Sequence, residues 1–116
     1  MVIKNNETYL RHILSAIRAI EKYMGEYSFE QFASDDNSLV QDGVVRQLEI
    51  IGEAAKNLSD EFTGKENSLP WADIVGMRDK LVHHYFGVNL KTVWRTAKED
   101  LPALAAAVSK YIDEKV

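Results

Sequence analysis

The sequence predicts an all-α protein, folded as an antiparallel up-and-down bundle of four to five main helices. Apolar residues recur every three to four positions along almost the whole chain, which is the period of an amphipathic helix. Only two prolines and six glycines interrupt the 116 residues, so few positions oppose a helix. A chain of this length supports one hydrophobic core, and we expect residues 1–116 to form a single helical domain.

The composition excludes several classes of site. The chain has no cysteine, so disulfides and thiolate metal sites are excluded. Its three histidines do not show metal-ligand spacing, and we expect neither a metal nor another cofactor. A net charge of -4 means that any affinity for nucleic acid must be local. Because no apolar run is long enough to span a bilayer, we expect a soluble cytoplasmic protein without membrane contact.

The first helix is expected to begin at an Asn5 or Asn6 cap and to end at Gly25. His12 lies beside its apolar stripe, and we interpret it as a surface or boundary residue. The stripe repeats at helical spacing: Leu10, Ile13, Leu14, Ile17, Ile20 and Met24.

Two capping boxes are expected in the next stretch, one at Ser28 with Gln31 and one at Ser38 with Gln41. From the second box we expect the longest helix, ending at about Glu61. Its apolar positions have nearly heptad spacing, and we favour an intramolecular core over a dimer face for them. They are Val40, Val44, Leu48, Ile51, Ala55, Leu58 and Phe62.

Charged residues on this helix, Arg46, Glu49, Glu53 and Lys56, are spaced at three and four. Two interpretations stay open. They form a solvated stripe of ion pairs, or Glu53 or Glu49 reaches Arg78 on a neighbouring helix, because a guanidinium in an apolar stripe needs a carboxylate.

The second half is expected to begin with a polar connector, residues 63–68. Pro70 then acts as the first-turn proline of the next helix. Asn89 caps a helix that the Asp100-Leu101-Pro102 segment interrupts, and Asp100 caps the last one.

The helix after Pro70 carries an unusual polar group, Arg78-Asp79-x-x-x-His83-His84-Tyr85. Arg78 falls among apolar positions of the helix, Asp79 and His83 are one turn apart, and Arg78 and His83 are ~140° apart on an ideal helix. For Arg78 and His83 to act on one phosphate, either the helix end is distorted or two copies of the motif meet. We prefer the second arrangement, a symmetric dimer.

The pattern Arg-Asp-x-x-x-His-x-Tyr resembles the signature of the HEPN superfamily of small helical ribonucleases, and the tyrosine narrows the resemblance to the HepT-like toxins. Further similarity extends over most of the chain. It includes Arg46, Ile51-Gly52-Glu53-Ala54-Ala55, Pro70-Trp71, Val93-Trp94 and Asp100-Leu101-Pro102.

The resemblance implies a metal-independent endoribonuclease that works as a homodimer, the toxin of a type VII toxin–antitoxin system. Arg78 would stabilise the charge that develops on the phosphate, His83 would be the base, and Asp79 would orient it. An MntA-like nucleotidyltransferase antitoxin would transfer AMP to Tyr85. Possible supporting residues are Glu53, Arg46 and His84, of which His84 is the weakest candidate.

A second function stays open. The chain is alternatively a non-catalytic helical adaptor or nucleotide-binding subunit of a nucleotidyltransferase. A structural interpretation of the motif also stays open, in which Arg78 is an ion-pair partner and the charged histidines interact favourably with the negative end of the helix dipole. The acidic net charge favours this alternative, whereas the intact Arg78, Asp79 and His83 favour the ribonuclease.

Overall fold

The computed structural model describes residues 2–83 and 89–112, with side chains described in residues 6–77 and 89–112. Within these ranges the chain is helical and contains no strand, which confirms the all-α prediction. Four helices have nine or more residues, as expected: α1 (Val2–Met24), α3 (Ser38–Lys56), α5 (Trp71–His83) and α7 (Leu101–Ser109). Three shorter helices lie between them: α2 (Phe29–Phe32), α4 (Asp60–Lys65) and α6 (Leu90–Arg95).

Helices α1 and α3 form the centre of the bundle and run antiparallel. Asn6 at the start of α1 bonds to Ser59 just beyond α3, whereas Tyr23 at the end of α1 lies against Gly43 near the start of α3. The apolar stripes of both helices meet in one core, whose fully buried members include Ile13, Ile17, Ile20, Val44, Leu48 and Ile51. The nearly heptad repeat of α3 is therefore intramolecular core, as predicted.

The start of α1 differs from the expectation. The helix begins at Val2 rather than at an Asn5 or Asn6 cap. Asn6 is inside the helix and buried, where its Nδ2 donates to Ser59 Oγ at 3.0 Å and its Oδ1 accepts from Ser59 N at 3.0 Å. The asparagine thus bonds to the residue that caps α4. At the other end Gly25 has φ +49° and ends α1 as expected, with its N–H donating to the carbonyl of Glu21.

One of the two predicted capping boxes is present. Ser28 and Gln31 bond reciprocally at the start of α2. The box at Ser38 is wrong, because Ser38 is already the first residue of α3 and the preceding Asn37 makes no side-chain cap bond. A short 3₁₀ helix, Asp35–Asn37, leads into α3 instead. Gln41 donates to the backbone carbonyls of Phe32 and Ser34, both at 2.9 Å, and so fastens this turn to α3.

Helix α3 ends at Lys56 and not near Glu61, so α1, with 23 residues against 19, is the longer helix. Ser59 stops a continuous helix from forming because it caps α4, with its Oγ accepting from Phe62 N. The expected polar connector is also partly wrong. Residues 63–65 belong to α4, and Glu66 is buried.

The second half of the chain packs against α3 and α1. Helix α5 lies on α3, and α7 lies on α1. Pro70 precedes α5 and accepts from Ile74 N through its carbonyl, so it is the cap residue and not the first-turn proline. Asn89 caps α6 as predicted, accepting from Lys91 N and Thr92 N.

The predicted break at Asp100-Leu101-Pro102 is absent. A π-helical segment, Thr96–Asp100, joins α6 to α7 without interruption. Leu101 N donates to Thr96 O, five residues back, and Asp100 makes no side-chain cap bond. Since Pro102 has no N–H to donate, the wider π turn just before it carries the helix past the proline.

Candidate functional site

The predicted catalytic motif lies at the end of α5. The backbone is helical through Arg78, Asp79 and His83, which keeps Asp79 and His83 one turn apart. The side chains of these three residues lie outside the described part, and His84 and Tyr85 lie outside the described residues altogether. Their roles stay predictions.

The helix that carries the motif is anchored through its first half. Trp71, Ile74, Val75 and Met77 are partly buried and pack against the core, and α3 is the helix that α5 contacts most. Trp71 Nε1 also donates to the carbonyl of Glu66 at 2.8 Å. The start of α5 is therefore fixed on both the apolar and the polar side.

Two predicted supporting residues, Arg46 and Glu53, come together at one cavity of about 350 Å³ between α1 and α3. The other polar side chains around it are Tyr9, His12, Glu49 and Asn57. Ile50 and Ala54 supply its apolar surface. The cavity is lined from α1, from α3 and from the residue directly after α3, and α5 packs on the same helix α3.

The charges of this cavity are arranged along α3. Arg46 Nη1 lies 3.7 Å from Glu49 Oε1, with side chains 71% and 19% exposed respectively. This pair agrees with the ion-pair interpretation of the stripe, and a pair at this distance, on so exposed an arginine, is worth ~0.2–1 kcal/mol. The alternative, in which Glu49 or Glu53 reaches Arg78, stays a prediction.

Helix α1 contributes two rings to the same cavity. The rings of Tyr9 and His12 lie 6.0 Å apart between centroids and at 87° to each other. His12 is exposed, as the sequence predicted. Its position opposite Arg46 and Glu53 was missed, although Tyr9 and His12 flank the apolar stripe at the spacing of one helical turn. Only the antiparallel pairing of α1 with α3 reveals which charged residues lie opposite them.

A second polar cluster lies away from this cavity, where the end of α7 meets the loop before α5. Glu66 is buried and accepts from Tyr111 Oη at 2.7 Å and Ser68 Oγ at 2.8 Å, with Lys110 Nζ at 3.1 Å. The hydrogen bonds from Tyr111, Ser68 and Lys110 lower the pKa of Glu66 from 4.5 to about 2. The bond to Glu66 raises the pKa of Tyr111. This cluster ties two elements together and contains none of the predicted site residues.

A larger cavity of about 620 Å³ lies between α5 and the α6–α7 segment. Its surface is mainly apolar, including Leu48, Ile74, Met77 and Leu104, with Asp73, Glu99 and Asp100 also lining it. Among the described residues, no three histidine, aspartate or glutamate side chains are arranged to hold a metal ion. No helix in the described ranges is long and apolar enough to cross a membrane.

Residues 13–111 match the family described as "Ribonuclease HepT-like". The chain is a member of the ribonuclease HepT-like family. The matched range includes the α3 residues of the α1–α3 cavity and the whole Arg78–Tyr85 motif, whereas Tyr9 and His12 lie before it. The resemblance found in the sequence is confirmed.

Individual relatives agree with the family. A protein named "Probable ribonuclease HepT" from Thermococcus cleftensis is 42% identical over 107 residues, covering 92% of this chain and 96% of the relative. Another, named a "Putative RNase", from Caldanaerobacter subterraneus subsp. tengcongensis, is 41% identical over 113 residues, covering 97% and 99%. No solved structure matches the chain.

Proposed function

We propose that this chain is a metal-independent endoribonuclease and the toxin of a type VII toxin–antitoxin pair. The observation that carries the proposal is the order Arg78, Asp79, His83 and Tyr85 in a chain of the ribonuclease HepT-like family. Two relatives that match almost end to end carry ribonuclease or RNase in their names. These names support RNA as the substrate.

The three motif residues suit cleavage of RNA without a metal. RNA supplies its own nucleophile, the ribose 2'-hydroxyl, so the protein needs only a base and a fixed cation. His83 takes the proton of that hydroxyl as the 2'-oxygen bonds to phosphorus, and Arg78 holds the charge that develops on the phosphate. The bond from phosphorus to the 5'-oxygen breaks, the 5'-oxygen takes a proton from water, and a 2',3'-cyclic phosphate remains. Asp79, one turn before His83, fixes the imidazole tautomer and raises the basicity of the ring.

The active site is completed by a second copy of the chain. Helix α5 is regular from Trp71 to His83, so Arg78 and His83 project ~140° apart on an ideal helix. That angle favours a site in which Arg78 of one protomer and His83 of its partner act on the same phosphate. A homodimer with two such sites follows from the symmetry.

Supporting roles fall to Arg46 and Glu53, which line the cavity on the helix that packs against α5. His84 follows the base directly and has a minor role. Modification of Tyr85 regulates the ribonuclease activity. A nucleotidyltransferase antitoxin transfers AMP from ATP to the hydroxyl of this tyrosine and releases pyrophosphate. The attached phosphate then binds the guanidinium of Arg78 in place of the RNA phosphate.

The test is RNA cleavage by the purified chain in the presence of a metal chelator. The wild type cleaves, while Arg78→Ala and His83→Ala each lose activity by a factor on the order of 100 or more. His84→Ala is the matched control and stays within a few-fold of the wild type. Loss of cleavage on chelation would contradict metal independence, and a defect in His84→Ala equal to that of His83→Ala would contradict the assignment of the base.

A further inference from the structure

The cavity between α1 and α3 contains a carboxylate with unused hydrogen-bonding capacity. Glu49 is largely covered, with 19% of its side chain exposed, and Arg46 Nη1 lies 3.7 Å from it. That separation exceeds the ~2.7–2.9 Å of a charge-assisted hydrogen bond. Among the described residues the carboxylate of Glu49 accepts no hydrogen bond. A mostly covered carboxylate that lies at a cavity wall and accepts no hydrogen bond from the described residues fits a ligand that donates hydrogen bonds to it.

The wall around Glu49 is rich in acceptors. Asn57, the residue directly after α3, lines the same cavity. The amide nitrogen of Asn57 already donates to the carbonyl of Glu53 at 2.9 Å, so its other polar atom, Oδ1, is an acceptor. The ligand that fits Glu49 and Asn57 therefore carries N–H donors. A metal ion is not indicated by the described residues.

The opposite wall offers aromatic surface. Tyr9 and His12 meet at 87° with centroids 6.0 Å apart, so a planar ring stacked on one of them meets the edge of the other. A volume of about 350 Å³ is in the range of small-molecule pockets and far too small for a protein helix. A flat, donor-rich group of the size of one nucleotide meets both requirements.

We propose that this cavity is a base-recognition pocket that selects guanine in the RNA substrate, an inference that rests on the proposed ribonuclease function. Guanine presents N1–H and one N2–H side by side, and the carboxylate of Glu49 accepts from both. Adenine presents the N1 lone pair at the same place and would face the carboxylate with an acceptor. The base stacks on Tyr9 or His12, and the exposed Arg46 at the edge of the pocket contacts the phosphate.

The direct test is a titration of the full-length chain with guanosine monophosphate, inosine monophosphate and adenosine monophosphate, followed by NMR. Guanosine monophosphate is expected to bind on the order of tenfold more tightly than adenosine monophosphate, as for one bidentate base contact. Inosine monophosphate, which lacks the 2-amino group, falls between them. The shifted amide signals belong to residues 9–12 and 46–57. Equal affinities, or shifts confined to other elements, would overturn the proposal.

Three variants distinguish a loss of base recognition from a loss of folding. Glu49→Gln replaces half of the acceptor pair by a donor and is expected to bring the guanine-to-adenine ratio close to one. Tyr9→Leu weakens all three nucleotides alike and leaves their ratio unchanged. Glu30→Gln, an exposed carboxylate on α2 outside the cavity, keeps the wild-type ratio. A Glu49→Gln chain that folds, as judged by its melting curve, and still prefers guanine contradicts the assignment.

Cleavage of a mixed-sequence RNA distinguishes this pocket from the proposed function. Cuts enriched beside guanine in the wild type, and evenly distributed in Glu49→Gln, support both. A chain that does not cleave RNA but still selects guanosine monophosphate would refute the ribonuclease proposal and support the pocket. Cleavage without base preference, together with equal nucleotide affinities, would refute the pocket alone.

Discussion

Glu66 is a buried carboxylate whose two oxygens are bound by different parts of the chain. Oε1 accepts from Tyr111 and lies near Lys110, and Oε2 accepts from Ser68. Hydrogen bonding to the charged form is the cause of its low pKa, about 2 against the usual 4.5. These contacts attach the end of α7 to the loop from which α5 begins.

The low pKa predicts how stability depends on pH. The folded state holds the ionised carboxylate more tightly than the unfolded state, so the stabilisation is fully present above about 4.5 and is lost as the pH falls towards about 2. Glu66→Gln is expected to be less stable than the wild type at pH 7. Urea unfolding at a series of pH values should show the difference shrinking below pH 4.5, and a constant difference down to pH 2 would contradict this role.

Tyr85 is predicted to be the residue whose modification inactivates the proposed toxin. Co-expression with a cognate nucleotidyltransferase should increase the intact mass of the chain by one or more AMP groups and suppress RNA cleavage. Tyr85→Phe lacks the acceptor hydroxyl and should keep its toxicity in the same cells. Intact-mass spectrometry provides the check. The same adducts on the Phe variant would place the modification elsewhere.

Local signals in the sequence were sufficient where one residue decides a helix end. Gly25, Ser28 and Asn89 act as predicted because each supplies a left-handed backbone or a cap oxygen to its own turn. The failures involve residues whose partners are distant in sequence. Asn6 bonds to Ser59, 53 positions away, and this tertiary contact overrides its preference for capping α1.

In the candidate site, too, local features were predicted and contacts between distant parts of the chain were not. The motif on α5 and the charged stripe on α3 were recognisable from their spacing, and the apolar repeat of α3 correctly indicated core. The shared cavity of His12 with Arg46 and Glu53 was not recognisable, because it depends on the register between α1 and α3. The helix break predicted at Pro102 is wrong for a different reason, because a π-helical turn lets the helix continue past the proline.

Substitution of two leucines of α3 tests how much the packing of this helix contributes to the free energy of unfolding. Leu48 is 1% exposed and Leu39 is 83% exposed. Leu48→Ala removes apolar contacts in the centre of the bundle and is expected to lower the free energy of unfolding by ~2–5 kcal/mol. Leu39→Ala, on the same helix, should change it by less than ~0.5 kcal/mol. Chemical denaturation of both variants measures the contrast, and similar losses would show that α3 is not packed in this register.

Substitution of two glycines tests the backbone conformation at the end of α1 against that inside α4. Gly25 has φ +49°, so Gly25→Ala is expected to destabilise the chain by roughly 1 kcal/mol, the cost of a left-handed backbone for a residue with a Cβ. Gly64, inside α4, has open space around an added Cβ. Gly64→Ala should therefore stabilise the chain by ~0.4–1 kcal/mol. Opposite shifts of the melting temperature are the expected outcome, and shifts of the same sign would contradict this account of the α1 end.

Because the chain is acidic, the affinity for RNA that we propose must be concentrated in one place. The net charge of -4 gives no long-range attraction to a polyanion. Bringing two Arg78 side chains into one cleft would create a local positive site on this acidic body. In the proposed homodimer, association of two copies would serve both RNA binding and assembly of the predicted catalytic residues.

The composite site predicts complementation between two inactive variants. Arg78→Ala and His83→Ala should each be inactive alone, whereas a mixed dimer retains one site with Arg78 from one protomer and His83 from the other. Random exchange makes half of the dimers mixed, each with one intact site of two, so the mixture should recover roughly a quarter of the wild-type rate. Light scattering should show a dimer at micromolar concentration, and mass spectrometry of differently tagged protomers should show the exchange. A monomer, or mixed dimers without activity, would contradict a site shared between protomers and would require Arg78 and His83 to act within one chain.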